Sequence, residues 1–196
     1  MKTRSGFVSN SSSSSFVVAF KKKPENSYEL LDLLFRLEND NLQVGVESPY
    51  GEETVDALSA ATIIWDQLKD QKPLTKKQIE EEIRSGWFNG HPEWNAFRTA
   101  DVIRVEYYEK FKKNIYDENA DPEWKSRHKK AQEKDGKDYE EAINQAAKDA
   151  CEKTYPRFKG KKAYRFTFSD NDGSVFATLE HGDTFKALPH IKISHH

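Results

Sequence analysis

The run Ser11-Ser12-Ser13-Ser14-Ser15-Phe16-Val17-Val18-Ala19-Phe20 decides how the whole chain is read. Its second half has no polar position, so a strand here must be covered on both faces, and Phe16 to Phe20 is predicted as the central strand of a sheet. The candidate partners lie at the other end of the chain. Ala163 to Phe168 alternates, with Tyr164, Phe166 and Phe168 on one face and Arg165 and Thr167 on the other. His190 to Ser194 alternates again, which sets Ile191 and Ile193 toward the core and His190, Lys192 and Ser194 outward. Ser174 to Glu180 follows Ser169-Asp170-Asn171-Asp172-Gly173, a loop whose residue types suit a tight turn, and is expected to form a hairpin with the strand before it.

Between these ends the apolar residues recur at helical spacing. Ser27 is expected to cap a helix reaching about Glu38, with Leu30, Leu31, Leu34 and Leu37 as its apolar stripe. Val44 and Val46 suggest a further strand. Glu53 to Lys69 carries Val55, Leu58, Ala61, Ile64, Trp65 and Leu68 three and four residues apart, and Thr75 to Arg84 opens on a Thr-x-x-Gln capping box. A helix is expected after Pro92, although Val102 to Tyr107 also alternates like a strand. Asp117 to Lys137 is charged throughout and suits either a mobile connection or a solvated helix; a helix with Tyr139, Ile143, Ala146 and Ala150 inward follows. The expected fold class is α+β: a small mixed or antiparallel sheet formed by the N- and C-terminal strands and covered by a central helical region. One domain over residues 1–196 is expected, with a Ser-rich loop and first strand in 1–24, a mostly helical 25–154 and a C-terminal β region in 155–196.

Composition excludes several classes. No stretch approaches the roughly 18 consecutive apolar residues of a spanning helix, so no membrane partner is expected. A single cysteine, Cys151, cannot form an intramolecular disulfide, and a reducing cytoplasm is the expected compartment. The net charge of −2 hides an asymmetry: residues 1–24 hold five bases and no acid, residues 25–91 six bases against fourteen acids, and residues 155–196 seven against four. The basic ends suit an anionic small molecule or nucleic acid, and the acidic middle suits a protein partner.

The Ser-rich amino terminus has no apolar stretch of signal-peptide length, and Gly6 is not the second-position glycine that myristoylation requires. Two readings stay open for it. Ser runs make flexible linkers; equally, Ser9, Asn10, Ser11, Ser12, Ser13, Ser14 and Ser15 could fold as a tight loop whose hydroxyl and backbone N–H groups bind an anion such as phosphate. Arg4-x-Gly6-Phe7-Val8-Ser9-Asn10-Ser11 to Phe16, together with Glu180-His181-Gly182 and Leu188-Pro189-His190-Ile191-Lys192-Ile193-Ser194-His195-His196, resembles the two ends of a group of uncharacterised proteins of bacteria and large tailed phages. The resemblance covers about fifty terminal residues. It implies a prokaryotic or phage intracellular protein whose terminal histidines are native, and imports no activity.

Four of the six histidines sit near the carboxyl end, among Asp170, Asp172, Glu180 and Asp183. Imidazole and carboxylate are ordinary ligands for zinc, manganese or iron, and can also serve as acid and base. His181, His190 and His195 are the candidate catalytic groups, and Asp170, Asp172 and His196 the candidate ligands of a divalent metal. The alternative is that the Asp-Asn-Asp-Gly run is turn chemistry and the histidines are surface or strand-end residues. A calcium loop is rejected, because Phe168 and Leu179 stand where its first and last oxygen ligands belong. Cys151, among Ala146, Ala147 and Ala150, is expected to be a packed, inert thiol. His91 reads as part of a turn, and the bases from Lys125 to Lys134 as a solvated face, since acids interleave with them. Two functions from different classes follow. One is a small hydrolase of phosphate esters with a Ser/His/Asp site; the other is a non-enzymatic interaction or host-takeover accessory protein.

Overall fold

The computed structural model describes residues 13–35, 43–48, 51–88, 90–172 and 174–195. In chain order the elements are strand β1 (Ser13–Phe20), helix α1 (Ser27–Leu34), strands β2 (Gln43–Ser48) and β3 (Gly51–Asp56), helices α2 (Ala57–Leu68), α3 (Lys76–Arg84), α4 (Thr99–Phe111) and α5 (Pro122–Phe158), strand β4 (Lys162–Ser169), helix α6 (Ser174–His181) and strand β5 (His190–His195). Short 3-10 turns stand at Trp94–Ala96 and Asp170–Asp172. The chain forms two compact units, one from residues up to 89 and from 150 onward, the other from residues 90–149.

The first unit is built on a three-stranded antiparallel sheet in the order β4-β1-β5. β1 is central, as its two apolar faces demand, and Phe16 through Phe20 are all buried. The register pairs Phe16 with Phe166 and Val18 with Tyr164, so the face carrying Phe16, Val18, Phe20, Tyr164, Phe166 and Phe168 is continuous across two strands. It packs on Leu30 and Leu31 of α1, Ala60, Ala61, Ile64 and Leu68 of α2, Leu179 of α6 and Phe185. Phe185 stacks against Phe166 and Phe168, with ring centroids 5.4 and 6.3 Å apart. On the opposite face Arg165 reaches Glu82 of α3 at 3.0 Å.

Both sheet edges are engaged, which blunts their tendency to pair with other chains. On the β4 side, Gln67 donates to the Thr167 carbonyl and accepts from its N–H at 2.9 and 3.0 Å. Gln71 does the same at Arg165, at 2.6 and 3.2 Å. Gln67 stands in the last turn of α2 and Gln71 just past its end, and the two amides meet strand residues two apart, on the same face of β4. On the β5 side, Trp87 exchanges both backbone hydrogen bonds with Ser194. Gly86 makes that approach feasible: a Cβ there would lie 2.6 Å from the Ser194 carbonyl oxygen and 2.8 Å from His195 Nδ1.

Four expectations change. Ser174 to Glu180 is helix α6, not the second strand of a hairpin. Val175, Phe176 and Leu179 have helical spacing and all pack on the core, an arrangement that a two-residue period would split between faces. The cap of α1 is Asn26, whose side chain accepts from the Glu29 N–H at 3.0 Å, and the helix ends at Leu34 with Phe35 extended; Leu37 and Glu38 lie outside the described residues. The helix expected from Glu53 begins at Ala57, after Asp56 caps it through the Ser59 N–H, because Gly51–Asp56 pairs with β2 instead. β5 faces the other way from the expectation: Lys192 and His190, in register with Phe16 and Val18, lie with Ser194 on the sheet face that packs on the main core and are half-buried, whereas Ile191 and Ile193 share the face of Val17 and Arg165, where Ile193 is buried. The Thr75 capping box forms as expected.

In the second unit, Val102 to Tyr107 is helical. Ala100, Ile103 and Tyr107 are buried with Ile115, Ala120 and Ala131, while Val102 and Val105 are exposed; apolar residues on both sides of α4 produced the apparent alternation. The charged stretch after Asp117 enters α5 at Pro122, the solvated-helix alternative, and that helix runs without a break through Gly136. No described helix is long and apolar enough to cross a membrane.

Candidate functional site

The pairing of β1 with both C-terminal strands brings the two ends of the chain together: Ser13 is opposite His195 and Ser169, Ser14 opposite Ser194 and Phe168, and Ser15 opposite Ile193 and Thr167. The Ser13–Ser15 part of the expected loop is therefore strand, with every residue in ladder register. Successive strand residues point to opposite faces, so the serines divide between two environments.

Ser15 belongs to the face of Thr167 and His195. Its Oγ lies 3.0 Å from His195 Nε2 and 3.3 Å from Thr167 Oγ1. A serine–histidine pair of this length is the contact from which nucleophilic catalysis starts, but Ser15 has no exposed surface. A reacting group has no approach to that oxygen, and the pair fastens β5 to β1 at its last residue.

Ser14 belongs to the other face, under α6. Its Oγ donates to Glu180 Oε1 at 3.4 Å across 166 residues of sequence. Glu180 is only 1% exposed, an unusual place for a carboxyl group, and its Oε2 lies 3.8 Å from His181 Nε2. Asp170, exposed in the 3-10 turn that follows β4, completes a group in which one ligand atom from each of Asp170, Glu180 and His181 lies within 4.8 Å of the others. The local fold explains the convergence. The 3-10 turn and α6 follow β4 directly, so the start of the turn and the last residues of the helix return to the same end of the sheet.

Lys192 supports this arrangement from β5. Its Nζ donates to the Glu180 carbonyl oxygen at 2.6 Å, at the end of the helix where a cation is favoured, and rests 5.5 Å from the centre of the Phe16 ring. Burial lowers the Lys192 pKa, against the opposing pull of Glu180 and Asp183. A buried carboxylate costs several kcal/mol unless charge and hydrogen bonds surround it, and Ser14, His181 and Lys192 are positioned to supply them.

The candidates named from sequence thus separate. Asp170 and His181 converge, together with Glu180. His190 is tied elsewhere: its Nδ1–H donates to the Leu188 carbonyl at 2.9 Å, and its ring lies 6.4 Å from Phe185. His195 is on the opposite face with Ser15, and Asp172 is exposed outside the three-residue group. Ser9, Asn10, Ser11, Ser12 and His196 lie outside the described residues. Glu180, Ser14 in its contact with Glu180, and Lys192 are the members that the sequence reading did not assign to these roles. Helical spacing of Val175, Phe176 and Leu179 was the signal that could have placed Glu180, since a helix turns residue 180 toward the side of 176.

No family model, curated protein or solved structure matches the chain.

Proposed function

We propose that the protein binds a divalent transition-metal ion through Asp170, Glu180 and His181 and uses it to hydrolyse a phosphate ester. The observation that carries this reading is the meeting of three donor atoms within 4.8 Å, one of them on a carboxyl group that is 1% exposed. Around an ion with bonds of about 2.0–2.2 Å, neighbouring donors stand about 3.0–3.4 Å apart, so binding requires a contraction of about 1.5 Å, within reach of side-chain rotation. A mixed imidazole and carboxylate set suits zinc, manganese or iron. Three protein ligands leave positions for water and for a substrate oxygen; the ion would polarise the phosphoryl group and make hydroxide available near neutral pH. Ser14 and Lys192 hold Glu180 in place, and exposed Asp170 gives the site its opening to solvent.

The test is titration of the full chain with Zn2+ and with Mn2+, followed by hydrolysis of a chromogenic phosphodiester and a phosphomonoester. One ion per chain is expected, bound at least about 10-fold more weakly by His181→Ala and by Asp170→Asn, with hydrolysis abolished by chelator. Absence of both binding and hydrolysis refutes the reading. Binding without hydrolysis refutes its catalytic half and favours the competing reading, an interaction protein without chemistry of its own, for which the exposed Val102, Val105 and Tyr108 of α4 speak.

A further inference from the structure

Val105 and Tyr108 of α4 line a cleft, and we propose that this cleft binds a nucleotide, with the base against Tyr108 and the phosphate between Arg104 and Lys113. The cleft has a volume of about 240 Å³ and is lined by Arg104, Val105, Tyr108, Lys113, Asn114 and Ile115. All six belong to the 90–149 unit, and the proposal is independent of the metal site.

Its construction begins at the end of α4. Lys112 adopts a left-handed backbone (φ 53°) and its N–H returns to the Tyr108 carbonyl at 2.7 Å, which stops the helix and turns Lys113 to Ile115 back beside it. Ile115 is buried, whereas Val105 and Tyr108 are each 54% exposed. An apolar floor under exposed apolar and aromatic walls attracts a flat, weakly hydrated group.

The rim sets the charge of that group. Residues 104–113 hold four bases, Arg104, Lys110, Lys112 and Lys113, against Glu106 and Glu109. Glu106 faces Arg127 at 3.5 Å and Glu109 faces Lys112 at 2.9 Å. Arg104 meets Asp101 at 3.4 Å in a half-exposed ion pair, a weak contact that a phosphate dianion can replace with charge-assisted hydrogen bonds. Size narrows the ligand further. A volume of 240 Å³ is below the roughly 300–1,000 Å³ of pockets for drug-sized ligands, so it holds one ring and its phosphate, not an extended peptide. Stacking on an aromatic ring combined with cations on phosphate is how proteins hold free nucleotides and single strands alike.

The experiment measures anisotropy of fluorescein-labelled ten-residue oligothymidylate and oligouridylate with the full chain, at low salt and in chelator, so that failure of the metal reading leaves the result untouched. Binding is expected. Arg104→Glu with Lys113→Glu should weaken it at least about 10-fold and reduce the salt slope by about 0.7, the value for one phosphate contact on a single strand. Tyr108→Ser should weaken it about 5- to 100-fold, and Tyr108→Phe, which keeps the ring, should bind as the parent does. Displacement by UMP or AMP assigns the cleft to free nucleotides, and resistance to displacement assigns it to a strand; both support the proposal. It is overturned if neither strand binds, if the charge and Tyr108→Ser variants bind like the parent while circular dichroism shows α4 intact, or if oligoglutamate displaces the strand.

Discussion

Replacing Asp135 with Ala should loosen the first turn of α4. That helix begins at Thr99 with Arg98 in the capping position, and Arg98 makes no side-chain hydrogen bond to the exposed N–H groups. The missing cap is supplied from α5: Asp135, 3% exposed, accepts from the Ala100 N–H at 2.8 Å and also receives hydrogen bonds from the Thr99 backbone and side chain. A lost cap costs about 1 kcal/mol and a hydrogen bond to a charged group contributes about 1.5–3 kcal/mol, less the desolvation of the carboxylate, so Asp135→Ala should cost about 2–3 kcal/mol. Asp135→Asn, which keeps one acceptor oxygen, should cost about 1 kcal/mol. Burial alone pushes this carboxyl up, but the hydrogen bonds from Ala100 and Thr99 and the nearby Lys134 outweigh it and hold the pKa below its usual value. Because the folded state binds the proton less readily than the unfolded chain, the stabilisation is fully present above about pH 4 and is lost as pH falls through the folded value. Hydrogen exchange of the Ala100 to Ile103 amides, with urea unfolding alongside, reads the effect locally. A loss below about 0.5 kcal/mol for Ala, or equal losses for Ala and Asn, would refute the reasoning.

Three other outcomes follow from the packing. Gly86→Ala should destabilise the first unit by about 1–3 kcal/mol in urea unfolding, since its Cβ would meet the Ser194 carbonyl oxygen at 2.6 Å; an unchanged midpoint would mean that β5 can move away freely. Gln67→Ala with Gln71→Ala should cost about 1–2 kcal/mol and, by baring the β4 edge, produce concentration-dependent association in light scattering; a monodisperse double variant of parental stability would contradict the edge-capping role. Cys151 is buried and its thiol is pushed up by burial, against the opposing effect of Lys76, so a thiol reagent at pH 8 should label the native chain only as fast as opening exposes it. Labelling at the rate of a free thiol would show that the packing is wrong.

Where a signal was local, it could be read along the chain. Phe16 to Phe20 required cover on both sides whatever covered it, and Tyr164, Phe166 and Phe168 had a two-residue period of their own. The Thr75 capping box involves residues three apart, and it formed as the spacing predicted. Ser174 to Glu180 failed because seven residues fit both periods, and the choice between them was made by the sheet face that Val175, Phe176 and Leu179 had to cover.

The amino-acid sequence by itself therefore determined the α+β class and the union of the two termini in one sheet, since periodicity and hydrophobicity are properties of neighbouring residues. Only the tertiary structure decided that Ser14 and Ser15 face different partners, that Glu180 is buried beside His181 and Asp170, and that Asp135 caps a helix thirty-five residues earlier. Those contacts depend on strand register and on which element covers which face, and a shift of one residue in register would exchange the two serines.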